Sequence, residues 1–233
     1  MNVSVILPTY NERGNIVPLI EAIQRELGSE EIACEIVVVD DNSPDGTALA
    51  VKEAFGDDSG VRLHVRRDEH GLASAIAHGI RQASQDVVAV MDTDFNHDPK
   101  LLPRMVRFLR YYDIVIGSRF MMGGGMDELW RYYASFLFNV FVRLIVRTQI
   151  QDNLCGFFAM RRDKLVAMDL DRIFQGYGEY FMHLLYQAWR EGYEMLEIPA
   201  YYTVRQYGES KSRFMRMAFT YALTAARVRL GKR

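Results

Sequence analysis

The stretch "VMDTDFNHDP", residues 90–99, sets Asp92 and Asp94 one residue apart at the end of an apolar run, with Asp98 a little further on. Two carboxylates at i and i+2, where a strand breaks into a loop, can face one pocket. They offer hard oxygen ligands to a divalent ion that keeps its other positions for phosphate oxygens. Magnesium or manganese is the natural candidate, and Asn96 and His97 lie near enough to add a ligand or to support one. Taken alone, Asp92 would serve equally well as a helix N-cap or a solvated strand end.

It is not alone. "PTYNE" (8–12), "DDNSPDGT" (40–47) and "GSR" (117–119) also end apolar runs, so three acidic clusters and one arginine belong to strand ends. By itself "DDNSPDGT" reads as a turn, with Pro early and Gly where a positive φ is needed. Several carboxylates brought to one edge repel each other unless a cation or a hydrogen-bonded ligand sits among them. The acids would hold a metal, and the metal would hold a diphosphate.

The elements that must position these residues follow from two alternating periods. "VSVILP", "CEIVVVDD", "VRLHV", "DVVAVMD" and "DIVIGSR" are short β-branched runs and read as buried strands. Between them "NIVPLIEAIQREL", "TALAVKEAF", "GLASAIAHGIRQAS" and "PKLLPRMVRFLR" repeat apolar residues every three or four positions, as helices with one buried face do. The alternation predicts an α/β fold of right-handed units, with a mostly parallel sheet flanked by helices. Such sheets bind ligands outside the carboxyl ends of their strands. Further on, "YGEYFMHLLYQAWREGY" (177–193) reads as an amphipathic helix and "MLEIPAYYTV" as a strand.

The composition narrows the partners. A chain of 233 residues that is 49% hydrophobic and 25% charged supports one large core. Its formal net charge of -2 gives no overall attraction for nucleic acid, so none is expected as a partner. Cys34 and Cys155 match no metal-ligand spacing, which fits a reducing compartment, the cytoplasm by default. The N-terminus has no basic region ahead of its apolar run and does not read as a secretory signal.

Two segments look towards a membrane surface. In "LWRYYASFLFNVFVRLIVR" the polar residues Arg131, Ser135, Asn139, Arg143 and Arg147 recur every fourth position on an otherwise apolar helix. Its longest uncharged stretch, 132–142, is 11 residues, where a span needs roughly 20. Lying in the interface, with Trp and Tyr at headgroup depth, is the expected placement; the plainer reading is a helix packed on the sheet. From Arg213 onward, Arg216, Thr220, Thr224 and Arg227 fall on the same face of a second such helix. The expected organisation is a catalytic unit over 1–211 that includes the interface helix 129–148, and a membrane-associating helix over 212–233. No transmembrane span is expected.

In order, "ILPTYNE", "VVVDDNSPDGT", "MDTDFNHDP", "GSRF" followed by "GGG", and "RQYGESKSR" resemble the family-2 glycosyltransferases of GT-A fold, specifically the polyprenol-phosphate (dolichol-phosphate) mannose synthase group. The resemblance covers nearly the whole chain. It implies an inverting transfer of a hexose, mannose from GDP-mannose foremost, to the phosphate of a membrane polyprenol. The enzyme would sit peripherally on the cytoplasmic face of a membrane, by itself or with a membrane partner protein.

Carried over position by position, the resemblance implies that Pro8, Tyr10 and Glu12 line the nucleotide site while Val39 and Asp41 contact base or ribose. Asp92 would take the sugar-nucleotide side, with Asp94 and Asn96 completing a magnesium or manganese site. Arg119 would face the donor phosphates and sugar, and Arg131 and Ser135 the acceptor phosphate. Arg205 and Lys211 would come from a loop that closes over the site. The chain departs from the family pattern at Asn96, where Gln or Ser is usual, at Ala73 in place of a second glycine, and at Cys155 and Phe158 in "DNLCGFF". Ala73 is expected to narrow the backbone's approach to a ligand.

The acceptor chemistry stands without the family. A phosphate monoester has a second pKa of about 6, so at neutral pH it is largely a dianion and already nucleophilic. What the site must supply is positive charge around two anions, not a base. Two rival readings are a transferase using a UDP-sugar or a hydroxyl acceptor, with Asp152 as the base, and a non-catalytic nucleotide-sugar-binding scaffold. Glu179 and His183 read as structural.

Overall fold

The computed structural model describes residues 1–56, 60–203, 221–222 and 224–225. The strands are β1 (Val3–Thr9), β2 (Cys34–Asp40), β3 (Val61–Val65), β4 (Val87–Val90), β5 (Ile114–Ser118), β6 (Gly125–Met126), β7 (Phe158–Arg161), β8 (Met195–Pro199) and β9 (Tyr201–Tyr202). The helices are α1 (Ile16–Gly28), α2 (Thr47–Phe55), α3 (Leu72–Gln82), α4 (Leu102–Phe108), α5 (Leu129–Val146), α6 (Arg162–Val166), α7 (Leu170–Ile173) and α8 (Tyr180–Arg190).

Seven strands form one sheet in the order β3-β2-β1-β4-β7-β5-β8, and β6 pairs with β9 in a small second sheet. The pairings are parallel except those of β7, which runs antiparallel to both β4 and β5. The six expected strands are present, "MLEIPAYYTV" as the two short strands β8 and β9; unexpected are β6, of two residues, and β7. The latter is only four residues, Phe158–Arg161, too short for a periodic signal.

The β-branched runs are buried on both faces because helices cover both sides. On one side Ile6, Val37 and Val39 share a core with residues of α3 and α8; on the other Val5, Leu7 and Val38 share one with residues of α1 and α4. Alternate residues of a single strand therefore feed opposite cores. Gly79 of α3 sits so close to β1 that an added Cβ would collide with Ile6, which lets the helix lie flat on the sheet. Gly46, at φ 86, closes the turn after β2 in the left-handed region as the "PDG" motif predicts.

The strand order decides what meets at the site. Since β2, β1 and β4 are neighbours and Thr9 lies in register with Asp40, the loops carrying Tyr10, Asp41 and Asp92 open at one edge. The end of β5 joins them across β7. At that edge Asn11, Asn42 and Phe95 all hold φ between 54 and 62. Asn adopts this conformation readily, but Phe pays for it, and such strain collects where the surrounding structure fixes a functional loop.

Helix α5 is seated by one side only. Asn139, Val142 and Val146 are buried, the two valines in a small cluster with Met182, Tyr221 and Ala225. Leu129, Trp130, Tyr133, Leu137, Phe141 and Leu144 are exposed. Its 18 residues and mean hydropathy of 1.2 reach the length and composition of a membrane-crossing helix. Its inner side is nonetheless committed to the protein.

Candidate active site

A cleft of about 980 Å³ runs from the carboxyl ends of β1, β2 and β4 to the inner side of α5. Six carboxylates border it, from Glu12, Asp41, Asp92, Asp94, Asp127 and Glu128, against the arginines Arg119 and Arg131. Each of those arginines already faces an acid: Arg119 pairs with Asp152 and Arg131 with Glu128, both at 2.7 Å. An anionic ligand entering this end therefore needs additional positive charge.

Asp94 is buried, and its carboxylate closes a turn by accepting from the Asn96 backbone N–H at 3.1 Å and from Asn96 Nδ2 at 2.8 Å. Asp92 is more open, with its side chain 43% exposed towards the cleft. The three expected metal-site residues thus come together, with Asn96 presenting its amide nitrogen to Asp94. Two carboxylates on one loop suit a hard cation that completes its coordination with phosphate oxygens.

His97 lies fully buried beneath them. Its Nδ1 accepts the Asp92 backbone N–H at 2.9 Å, and its ring stacks on Phe157 with centroids 4.7 Å apart and meets Tyr202 edge-on. Burial pushes its pKa down to about 4 and Arg119 adds to that, against the opposing pull of Asp94 and Asp152. A neutral imidazole committed to a backbone N–H supports the acidic loop from below; it is not placed as a ligand.

Of the residues expected at the nucleotide, Pro8, Tyr10, Glu12 and Asp41 all border the cleft. Val39 does not: its side chain is wholly buried in the core against α3. Asp41 is gripped by Arg66, whose Nε and NH2 donate to Oδ1 at 2.7 and 2.5 Å, while the Gly71 N–H donates to Oδ2 at 2.7 Å. Arg66 also bonds the Gly71 carbonyl and Ser74 Oγ, so one guanidinium ties the end of β2 to the start of α3. Ala73, expected to narrow this approach, is buried in the core instead, and Gly71 is the residue that borders the cleft.

On the other side Arg119 follows β5 and donates from Nε and NH2 to the two oxygens of Asp152, both at 2.7 Å. Its guanidinium also lies 5.2 Å from the Phe120 ring centroid and 5.0 Å from that of Tyr202. Asp152 raises the Arg119 pKa further against the effect of burial, so the arginine stays charged. Asp152 is itself fully buried, with both oxygens engaged, which removes it as a base for a hydroxyl acceptor. Cys155 borders the cleft, but burial raises its thiol pKa well above the usual value, which rules out a resting thiolate nucleophile. Arg131 and Ser135 reach the cleft from α5. Arg205, Lys211 and the helix expected from Arg213 lie outside the described residues, apart from the four positions given above.

Comparison with known proteins gives this geometry its context. Residues 4–169 match the family described as Glycosyl transferase family 2. The chain belongs to this family. It is 36% identical over 217 residues to a dolichol-phosphate mannosyltransferase of Pyrococcus furiosus, covering 91% of this chain and 59% of that one. It is 35% identical over 221 residues to an undecaprenyl-phosphate mannosyltransferase of Micrococcus luteus, covering 91% and 87%. A dolichol-phosphate mannosyltransferase of Mycosarcoma maydis is 31% identical over 215 residues, covering 89% and 72%. The fold is that of glucosyl-3-phosphoglycerate synthase from Mycobacterium tuberculosis, solved with Mn2+, UDP and glucosyl-3-phosphoglycerate. The TM-score is 0.73 at 18% identity, over 100% of this chain and 81% of that one.

In this family-2 glycosyltransferase several residues that order the surroundings of the cleft had no signal in the sequence. Arg66 stands in "VRRDEHG", which reads as a solvated turn, yet it is buried against Asp41. Asn153 donates its backbone N–H to Asn139 Oδ1 at 2.7 Å, and Asn139 Nδ2 donates to the Ser135 carbonyl at 3.0 Å. The every-fourth stripe on α5 was visible as sequence; that its middle member is a buried clamp was not. Glu179 accepts from the Tyr177 N–H at 2.9 Å, a loop-closing role in line with the structural expectation.

Proposed function

We propose that this protein is an inverting polyprenyl-phosphate mannosyltransferase that takes mannose from GDP-mannose on the cytoplasmic face of a membrane. The names of the relatives favour a polyprenyl phosphate as acceptor and mannose as the sugar; GDP is favoured by the motif resemblance. The observation that carries the reading is one continuous cleft. It joins the strand-tip carboxylates Asp92 and Asp94 to Arg131 and Ser135 on the inner side of a helix whose outer side is exposed and apolar.

Asp92 and Asp94, with Asn96 beside them, would hold magnesium or manganese, which when bound supplies the charge that lets the diphosphate leave. The remaining work belongs to side chains. Tyr10, Glu12 and Asp41 border the nucleoside end, and Arg66 and Gly71 fix Asp41 in place. Arg119 sits where donor phosphates would lie, held by Asp152 at a fixed angle, and a guanidinium fork presents two parallel donors to phosphate oxygens. Arg131 and Ser135 would receive the acceptor phosphate. Two like charges held at 4 Å cost about 4 kcal/mol near a protein surface, so these cations decide whether acceptor and donor can meet at all. The acceptor dianion needs no base, which accords with Asp152 being committed to Arg119.

The exposed Trp130, Leu137 and Leu144 would enter the headgroup boundary, with Arg143 and Arg147 reaching anionic lipid. The test is transfer itself. Protein, magnesium or manganese, a short polyprenyl phosphate and a panel of labelled nucleotide sugars are incubated, and the lipid is extracted. Label entering the lipid fraction from GDP-mannose is expected. Label from UDP-glucose alone, or none from any donor, overturns the assignment.

A further inference from the structure

Strand β8 places Glu197 opposite Ile116 of β5, two residues before Ser118 and three before Arg119. From there its carboxylate reaches the loop that follows α5. The Gln151 backbone N–H donates to Oε2 at 2.8 Å and the Asp152 N–H to Oε1 at 3.0 Å, while the Ser118 hydroxyl adds a third donor. Asp152, held at its backbone, spends both side-chain oxygens on Arg119 and also accepts the Arg119 N–H at 3.1 Å. A carboxylate on one strand therefore orients a second carboxylate, which orients Arg119. Glu197 does not itself border the cleft.

We propose that Glu197 is a positioning residue for sugar transfer, fixing the Gln151–Asp152 backbone and through it the direction in which Arg119 faces the donor phosphates. This rests on the reading of Arg119 as a donor-phosphate contact. Glu197 is half-buried, and burial raises its pKa while its hydrogen-bond donors favour the charged form; only a carboxylate offers two oxygens to two consecutive N–H groups. Glutamine keeps one oxygen but turns an NH2 towards a backbone donor. The substitution is close to isosteric, yet it releases one side of the loop.

The test compares Glu197→Gln with wild type in three measurements: thermal melting, steady-state kinetics, and the 1H–15N signal of the Arg119 Nε–H, assigned by its absence in Arg119→Lys. A displacement of an ångström in a positioned group costs on the order of 100-fold in rate. The expected result is folded protein with kcat down about tenfold or more, a smaller change in donor KM, and a shifted or broadened Arg119 signal. A lower melting temperature with kcat and the Arg119 signal unchanged makes Glu197 a structural anchor and overturns the proposal. Should Glu197→Gln fail to fold, Ser118→Ala removes one donor from the same carboxylate; the Arg119 signal then shifts or broadens relative to wild type, or the proposal falls. If wild type transfers no sugar, the substrate assignment fails, and the Arg119 signal alone decides the role of Glu197.

Discussion

Arg119 and Asp152 form a two-pronged ion pair with both contacts at 2.7 Å, and the aspartate is entirely shielded from solvent. The pair holds the Arg119 guanidinium in one orientation. It also assigns Asp152, the residue a hydroxyl acceptor would need as a base, to a different duty.

Breaking the pair from the acidic side strands a buried guanidinium. Asp152→Ala is expected to destabilise the fold by about 3–5 kcal/mol, the cost of leaving one partner of a buried pair uncompensated. Arg119→Lys keeps the charge and loses the fork, so it should melt closer to wild type yet transfer sugar far more slowly. Chemical denaturation and initial-rate kinetics on both variants separate the two effects.

The buried imidazole of His97 makes stability depend on pH. Its pKa in the folded state, about 4, lies below the unfolded value of about 6.5. The unfolded chain therefore takes up the proton first, and stability is lost as pH falls from about 6.5 towards 4. The loss approaches about 3 kcal/mol. Denaturation in the presence of a chelator, with His97→Phe as comparison, checks this: the variant should lose that part of the pH dependence.

The outer face of α5 is expected to govern membrane binding without governing the fold. Leu137 and Leu144 are 68% and 74% exposed, so charged replacements should cost little stability. Each buried leucine contributes about 1.5–3 kcal/mol to transfer out of water. Leu137→Glu with Leu144→Glu should therefore weaken vesicle binding by tenfold or more in co-sedimentation. Equal binding by the variant would place the docking surface elsewhere.

Much of this was legible because strand ends announce themselves. The runs ending at Thr9, Asp40 and Val90 are β-branched and uninterrupted, so the carboxylates just beyond them had to fall on one sheet edge. The helix of α5 and its every-fourth polar stripe were equally visible. What stayed hidden depends on pairing across the chain. Nothing in "FFAM" says that it lies antiparallel between β4 and β5, and nothing in "VRRDEH" says that the first arginine turns inward to Asp41. Val39 was carried over to the nucleotide site by motif alone; the two-residue strand period turns it into the core. Asp152 and Glu197 show the same limit, since neither has a partner nearby in sequence.

On the proposed reading Asp92 and Asp94 hold a divalent cation that brings the nucleotide sugar into the cleft. The most direct measurement is calorimetric titration of GDP into wild type and Asp94→Asn, with and without manganese. Manganese is expected to tighten binding to wild type by at least tenfold, and Asp94→Asn to abolish this gain while its fold is retained. Equal nucleotide affinity with and without manganese in wild type, or an undiminished gain in Asp94→Asn, would contradict it.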